Sequence, residues 1–265
     1  MTSLDPQRRL LIGAAVTVSV IGSTAYYRSE GATAGRVWEL TIASLLIVMM
    51  IGIWRFQTRF RTPWLAIWCG LAAAFTGGLL AAHPTWSPLP TTSPSIVDLL
   101  KLINYPLGAL GVLILVNRRS RPIGWRTSLE AMLVFGAGAM AIWVAVLGPL
   151  LGETDVTTGA GFVAVMYPSM DLLLLAVLVA VVMRIDHRPG ALWLVVIALG
   201  GNLVADVAHG AQVLRGEYQM GSAIDVGWLL CFAAFAVAPA WPSSQPVELV
   251  GDDGRIGRPR MALLF

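Results

Sequence analysis

Several polar and ionisable side chains lie inside long apolar runs of this sequence. They are, in chain order, Asp98, Lys101, Tyr105, Tyr167, Asp171, Asn202, Asp206, His209 and Asp225. Such groups are costly in an apolar surrounding, so they mark a functional site or its structural support. Four carboxylates beside one lysine and one titratable histidine suit a small cationic or polyhydroxylated ligand, a metal ion or a proton.

The spacing of these residues brings them together on helix faces. The set from Asp98 to Tyr105 has spacings of i, i+3 and i+7, and the set from Asn202 to His209 has spacings of i, i+4 and i+7. Each set therefore shares one face of a helix. With a rise of about 1.5 Å per residue, the groups fall between one end of their helices and the midplane of a membrane core about 30 Å thick. The pattern predicts a polar pocket that opens to one side of the membrane.

Three interpretations of this pocket remain open. In the first, the polar groups bond to one another and hold the helices together, with Lys101 paired to Asp98. In the second, they line a ligand-sensing pocket that opens to the exterior. In the third, they belong to a conduction or transport path. The third is disfavoured because the cytoplasmic halves of the same runs are almost wholly apolar, apart from Glu130.

Catalytic signatures are absent from the sequence. No HExxH, GxSxG or GxxxxGK[ST] pattern occurs. Asp206 and His209 have the residue types of metal ligands, but two ligands alone do not make a site. Aspartyl chemistry would need Asp171 and Asp206 to face each other, which nothing in the sequence requires. We therefore predict no enzymatic activity, no metal and no cofactor for this chain.

The composition shows which solvent surrounds these runs. Of the 265 residues, 57% are hydrophobic and only 12% are charged, and the mean hydropathy is +0.74. Soluble domains carry roughly 25% charged residues. Because a helix of about 20 apolar residues crosses a bilayer, the runs predict an all-α, polytopic membrane helix bundle of about eight transmembrane helices. The predicted spans are Leu10–Tyr27, Trp38–Trp54, Trp64–Ala82, Ile96–Val116, Thr127–Leu151, Gly161–Met183, Ala191–Leu214 and Gly221–Pro239.

The arginines set the expected orientation. Most of the 18 basic residues lie in alternate connections, namely Arg8, Arg9, Arg55, Arg59, Arg61, Arg118, Arg119, Arg121, Arg126, Arg184, Arg188, Arg255, Arg258 and Arg260. By the positive-inside rule, this bias predicts a multi-pass protein of the plasma (inner) membrane with both termini in the cytoplasm. The same placement argues against a nucleic-acid partner. The expected partners are the lipid bilayer, a small polar or cationic ligand from the exterior and a second copy in a homodimer.

The chain divides into a membrane domain and a short tail. Residues 1–241 are expected to form the transmembrane helical domain, and residues 242–265 a cytoplasmic tail. The tail ends on an apolar stub, Met261–Phe265, which we interpret as the start of a further helix in a longer polypeptide. Nearly equal intervals between span starts suggest a bundle built from repeated helical hairpins. These starts lie near Trp64, Thr127 and Ala191.

Three motifs in the second half of the chain resemble those of a known family. The motifs are Tyr167-Pro168 with Asp171-Leu172-Leu173-Leu174, Leu192-Trp193 with Asn202 and Ala205-Asp206, and Gly221-Ser222 with Asp225 and Gly227-Trp228. In this order they resemble the N-terminal membrane region of actinobacterial GGDEF/EAL proteins, the diguanylate cyclase/phosphodiesterase type, over roughly Trp38 to Trp241. The resemblance implies an input module that regulates cyclic-di-GMP synthesis or breakdown. Neither a GGDEF nor an EAL motif occurs in this chain, so the family's catalytic residues do not carry over.

Together these observations predict a membrane-embedded sensory or regulatory input module with an outward-facing polar pocket. Asp171, Asp206 and His209 are the foremost candidates for contact with a ligand, and the other polar residues of the runs support them. The alternative is a small multi-pass transporter or channel. A polar path that reaches the cytoplasm would favour transport, whereas an output domain in the same reading frame would favour signalling.

Overall fold

The computed structural model describes residues 5–57, 60–86, 94–117, 125–153, 158–183, 190–219 and 221–242. About 90% of these residues are helical, and none of them lies in a strand. Within them, seven helices are long and apolar enough to cross a membrane. The predicted all-α helical bundle is therefore confirmed, and its long apolar helices indicate a membrane protein.

Ten α-helices follow one another along the described ranges. They are α1 (Pro6–Arg28), α2 (Gly31–Phe56), α3 (Arg61–Ala82), α4 (Ile96–Leu102), α5 (Asn104–Asn117), α6 (Trp125–Ile142), α7 (Gly148–Glu153), α8 (Gly159–Met183), α9 (Gly190–Leu214) and α10 (Asp225–Val237). A π-helical turn, Trp143–Leu147, joins α6 to α7, and a 3-10 turn, Ala238–Ala240, continues α10. A further 3-10 turn, Pro84–Trp86, follows α3.

Two prolines explain why two of the predicted spans are interrupted. Pro106 has no N–H to donate to the carbonyl of Leu102, and α4 ends at Leu102 before α5 begins. Pro149 likewise cannot donate, and the preceding turn widens so that the N–H of Gly148 bonds to the carbonyl of Trp143. In each case the chain resumes its helix directly, so each pair of segments still reads as one apolar span.

Two helix starts differ from the predicted boundaries. Helix α2 begins at Gly31 rather than Trp38, because Gly31 adopts a φ of +53° that closes the short turn after α1. Helix α10 begins at Asp225 rather than Gly221, because the φ of Gly221 is +94° and no right-handed helix accepts it. With its 3-10 turn, α10 spans only about 25 Å. The eighth crossing, the repeated hairpins and the orientation of the termini stay predictions.

The two ends of the bundle are identified by contacts between helix termini. At one end, the guanidinium of Arg8 donates to the carbonyl of Ala240 at 2.8 Å and lies 4.5 Å from the ring centre of Phe56. We call this end the Arg8 face. At the other end, the hydroxyl of Tyr27 donates to the carbonyl of Ser222 at 3.0 Å, and we call this the Tyr27 face. Helix α1 therefore begins, and α10 ends, at the same face.

The core lies where α2, α3, α5, α9 and α10 meet. Among its fully buried side chains are Met49, Trp64 and Val195. Helices α9 and α10 approach so closely that a Cβ on Gly227 would lie 2.6 Å from the carbonyl oxygen of Gly201. Small residues at such crossings let backbones pack directly, which is how helices associate in lipid.

Large apolar side chains also cover the outside of the bundle. Leu10 on α1 is 76% exposed, and Leu133 on α6 is 74% exposed. A water-soluble monomer rarely shows contiguous apolar surface of this kind. The exterior therefore suits lipid as the surrounding solvent.

Part of what the sequence predicts falls outside the described residues. This applies to residues 243–265 of the tail and to several of the basic residues that set the orientation, namely Arg59, Arg118, Arg119, Arg121, Arg184, Arg188, Arg255, Arg258 and Arg260.

Candidate functional site

The candidate residue nearest the start of the fourth predicted span is Asp98, and it is held on two sides. One of its carboxylate oxygens accepts from the backbone N–H of Ser95 at 3.0 Å and from the Ser95 hydroxyl at 3.1 Å, which completes a capping box for α4. The other oxygen accepts from the hydroxyl of Tyr167 at 3.1 Å. Asp98 and Tyr167 therefore tie α4 to α8.

Two helix turns deeper, the hydroxyl of Tyr105 lies between two carboxyl groups. It is 3.1 Å from Asp206 on α9 and 3.4 Å from Asp171 on α8. The side-chain amide of Asn202 donates to the same oxygen of Asp206, and the indole N–H of Trp228 donates to the other at 2.7 Å. We call these five residues the inner cluster. It brings together side chains from α5, α8, α9 and α10.

The inner cluster lies deep within the bundle. Counted from the helix ends at the Tyr27 face, Tyr105, Asp171 and Asp206 are about 14, 18 and 12 Å inside, at about 1.5 Å per residue. A bilayer core is about 30 Å thick, so these groups sit near its middle. Asp171 is only 4% exposed. The depth of these residues in a membrane stays a prediction, and the structure adds that they contact one another.

A small cavity adjoins the inner cluster on the side of the Arg8 face. Its volume is about 30 Å³. The polar groups in its wall are Asn104, Tyr105 and Asn202, and the other walls are apolar, with Ile67, Leu71, Leu199 and Phe235 among them. A cavity of this size holds a water molecule or an ion of similar radius.

Asp225 forms a separate site close to the Tyr27 face. It is 1% exposed, and its carboxylate accepts from the hydroxyl of Tyr26 at 2.6 Å, from the hydroxyl of Tyr218 at 3.2 Å and from the backbone N–H of Gly221 at 2.8 Å. We call these four residues the Asp225 cage. Burial, together with the adjacent Asp225 carboxylate, raises the pKa of Tyr218 to about 12. The cage fastens α1 to the start of α10.

His209 and Lys101 stand between these groups without joining the inner cluster. The ring of His209 packs edge-on against Tyr218, with centres 4.4 Å apart, and against Trp228 at 5.3 Å. Lys101 interacts electrostatically with Asp98 and with His209. The predicted ion pair between Lys101 and Asp98 does not form at 4 Å in the described part of the chain. The carboxylate of Asp98 instead accepts hydrogen bonds from Ser95 and Tyr167.

Seven of the nine candidate residues fall into three groups, and Lys101 and His209 stand between these groups. Asp98 and Tyr167 form the outer pair, four candidates belong to the inner cluster, and Asp225 has its own cage. Sequence reasoning missed Tyr26, Tyr218 and Trp228 as members of these groups. Their signal is weak because aromatic residues are common at membrane interfaces, where both Tyr and Trp are expected on other grounds.

The residues that the structure describes contain no complete set of metal ligands. No group of three or more histidine, cysteine, aspartate or glutamate side chains is placed there to hold a metal ion. The chemistry that the inner cluster offers is therefore hydrogen bonding and the binding of positive charge. Trp228 joins this cluster to the Asp225 cage, because its ring also packs 6.5 Å from Trp38, which in turn packs against Tyr26.

Comparison with known proteins assigns no family to this chain. The chain matches no family model, no curated protein and no solved structure.

Proposed function

We propose that this chain is a membrane-embedded sensory or regulatory input module whose polar pocket opens to the exterior. The observation that carries the proposal is the position of α10. This one short helix contacts the inner cluster through Trp228 and also forms the last described segment at the Arg8 face. A change at the cluster therefore has a direct mechanical route to residues 238–240 at the Arg8 face.

The 3-10 turn that continues α10 is held by one side chain from α1 and by one from the residue that follows α2. The amide of Gln57 donates to the carbonyl of Pro239 at 2.7 Å, and Arg8 donates to the carbonyl of Ala240 at 2.8 Å. Residues 234–240 are all buried. Because α10 is gripped at both ends, a shift at Trp228 is transmitted along a rigid element rather than absorbed by a loop.

The hydrogen bond between Trp228 and Asp206 sets the size of the proposed shift in the packing equilibrium of α10. A hydrogen bond to a charged group contributes about 1.5–3 kcal/mol. A ligand that contacts Asp206 in place of Trp228 binds two packing states of α10 with different affinities, which is the requirement for a ligand to shift a conformational equilibrium. A loss of about 1.4 kcal/mol changes that equilibrium tenfold.

The remaining parts of the proposal rest on the sequence. The distribution of arginines supports an inner-membrane protein with both termini in the cytoplasm, and the resemblance to GGDEF/EAL membrane regions supports a cyclic-di-GMP output. A homodimer would suit this output. The ligand would be small and polar or cationic, since the candidate residues carry more carboxylates than cations.

Cysteine labelling just after α10 tests whether a change at the inner cluster is transmitted along this helix. Ala240→Cys is introduced into a chain that carries Cys69→Ser and Cys231→Ala, and its maleimide labelling rate is measured in lipid nanodiscs. Asp206→Asn or Trp228→Phe should raise the rate about tenfold or more, because Ala240 is fully buried. Glu217→Gln, an exposed carboxyl in the connection before α10, is the matched control. Unchanged labelling in both variants would remove the sensory proposal.

Output is tested separately in cells. Cyclic-di-GMP content is measured in cells that express the whole native reading frame, with and without Asp206→Asn. A change in cyclic-di-GMP content supports the proposed output. An unchanged content would remove cyclic-di-GMP as the output and leave the sensory proposal to the labelling test.

Transport is the second candidate, and the cavity beside the inner cluster favours it, because polar groups there extend toward the Arg8 face. Its deeper walls are apolar, with Ile67 and Phe235 among them. Ion flux through proteoliposomes that is abolished by Asp171→Asn, together with unchanged labelling at Ala240→Cys, would establish transport in place of sensing.

A further inference from the structure

Arginines from three helices gather at the Arg8 face. They are Arg8 and Arg9 near the start of α1, Arg55 at the end of α2 and Arg61 at the start of α3. Among the described residues of these helices and their caps, the one acid at this face is Asp5. Its carboxylate caps α1 by accepting from the backbone N–H of Gln7 at 3.1 Å. This face therefore carries an excess of positive charge.

The side chain of Arg55 is held by the first turn of α1. Its Nε–H donates to the amide oxygen of Gln7 at 2.9 Å, and an Nη2–H donates to the same oxygen. Arg55 is exposed, and in the described part of the chain it forms no ion pair. A guanidinium has five N–H donors, so three of them are left for another acceptor.

The side chain of Arg61 lies against the residue that precedes Arg55. An Nη2–H of Arg61 donates to the carbonyl of Trp54 at 3.2 Å, and its guanidinium carbon lies 4.4 Å from the centre of the Trp54 ring. Its Nε–H is buried and has no acceptor among the described residues. The carbonyl carbon of Trp54 is bonded to the backbone nitrogen of Arg55, so the two cationic side chains extend from neighbouring points.

The groups that contact these two arginines do not cancel their charge. The hydrogen-bond acceptors are an amide oxygen and a backbone carbonyl, both neutral, and the remaining contact is an aromatic ring. The C-terminus of α2 is negative, but a helix end carries only about half a unit charge. The start of α3 has no side-chain cap, so its first N–H groups add positive potential. The pair is therefore suited to an anion from outside the chain.

The position of the pair at the helix ends indicates which anion meets it. Helices α2 and α3 are long and apolar enough to cross a membrane, so their ends lie at the level of the lipid headgroups. Trp54 is 56% exposed, and tryptophan prefers this interface. The planar fork of arginine matches the oxygens of a phosphate. A zwitterionic headgroup would bring its own cation beside the arginines, which favours a lipid with net negative charge.

We infer that Arg55 and Arg61 together bind the headgroup phosphate of an anionic phospholipid in the leaflet at the Arg8 face. Gln7 orients the guanidinium of Arg55, and Trp54 orients that of Arg61. The bound lipid thus bridges the ends of α1, α2 and α3. The site shares no residue with the inner cluster, so it stands whether or not the chain senses a ligand.

Native mass spectrometry of the whole chain in a neutral detergent tests the inference. Phosphatidylglycerol and phosphatidylcholine with identical acyl chains are titrated separately, and the chain should bind phosphatidylglycerol more tightly. Arg55→Gln and Arg61→Gln should each weaken this binding about fivefold, which corresponds to about 1 kcal/mol per arginine at an anionic lipid surface. Arg28→Gln, an exposed arginine at the other end of α1, is the matched control and should leave the affinity unchanged.

A variant that conserves charge separates a built site from diffuse attraction. Gln7→Ala keeps every arginine and removes the acceptor that holds Arg55, so it should also weaken the binding of phosphatidylglycerol. Losses that follow charge alone, equal in Arg28→Gln and Arg55→Gln and absent in Gln7→Ala, would overturn the inference.

Two measurements on the unsubstituted chain decide the source of the phosphate. Equal affinities for the two lipids would overturn the inference, whether or not Arg61→Gln folds. Inorganic phosphate is then added and compared with chloride at equal ionic strength. Displacement of phosphatidylglycerol by phosphate alone would assign the site to a free phosphate and overturn the lipid assignment, whereas displacement by neither salt supports it.

Discussion

The strongest quantitative test concerns two adjacent tyrosines at the end of α1. Tyr26 is 3% exposed and donates to Asp225 at 2.6 Å, whereas Tyr27 is 42% exposed and donates to a backbone carbonyl at 3.0 Å. Tyr26→Phe and Tyr27→Phe remove the same atom from neighbouring positions. They differ in burial, in the charge of the acceptor and in the N–H of Gly221, which the hydroxyl of Tyr26 accepts, so each is the control for the other.

The magnitudes follow from these contacts. Loss of a buried hydrogen bond to a carboxylate costs about 1.5–3 kcal/mol, and loss of an exposed bond to a neutral carbonyl costs about 0.5 kcal/mol. The N–H of Gly221 adds nothing to the difference, because it bonds to Asp225 as well as to the hydroxyl of Tyr26. We expect Tyr26→Phe to be less stable than Tyr27→Phe by about 2 kcal/mol, or ~30-fold in the unfolding constant.

Equilibrium unfolding of the chain in mixed micelles of increasing SDS content measures both free energies. A double-mutant cycle of Tyr26→Phe with Asp225→Asn adds the interaction energy of the pair, which should reach about 1 kcal/mol or more. Equal losses for Tyr26→Phe and Tyr27→Phe, or additive effects of Tyr26→Phe and Asp225→Asn, would refute the argument that Asp225 fastens α1 to α10.

Three further predictions concern the connection of α9 to α10 and their crossing. Gly227→Ala should cost about 1–3 kcal/mol, because its Cβ would meet the carbonyl of Gly201 at 2.6 Å, and Gly200→Ala on the open side of α9 should be neutral in the same SDS titration. Gly221→Ala should cost about 1–3 kcal/mol because its φ is +94°, and melting temperatures that match the parent would contradict this. The pKa of Tyr218 is raised to about 12 by burial and by Asp225, so its contribution to stability is complete below pH ~10 and is lost as the pH rises through about 12. Tyr218→Phe should therefore flatten the alkaline fall of the unfolding free energy; an unchanged profile would count against the raised pKa.

Prolines and glycines mark the points where the sequence was a poor guide to helix boundaries. The apolar run of α4 and α5 reads as one span, and the break before Pro106 is a consequence of a single missing N–H. The predicted second span began at Trp38, just after the charged Arg36, whereas α2 begins at Gly31. Charged residues are common in the first turns at a membrane interface, so polarity alone does not end a span there.

For the candidate site, periodicity located the residues and the tertiary structure sorted them. The spacing of Asp98 and Tyr105 correctly put both on the fourth span. Their partners lie on α8 and α9, tens of residues away, and no local pattern records which side chain meets which. The same limit hid Tyr26 and Trp228, whose hydrogen bonds depend on how α10 packs against two other helices.

The sequence by itself determined the solvent and the class of this protein. Apolar composition and continuous runs of this length indicate helices, because backbone N–H and carbonyl groups in lipid must be satisfied inside the protein, and a helix satisfies them within its own segment. Those quantities are local, so they can be read residue by residue. Only the tertiary structure decided that Asp171 and Asp206 meet at one hydroxyl while Asp225 is caged apart, because such contacts depend on helix packing rather than on helix formation. The physical reason is that helix formation in a membrane follows from each segment alone, whereas the positions of buried charges follow from how the segments fit together.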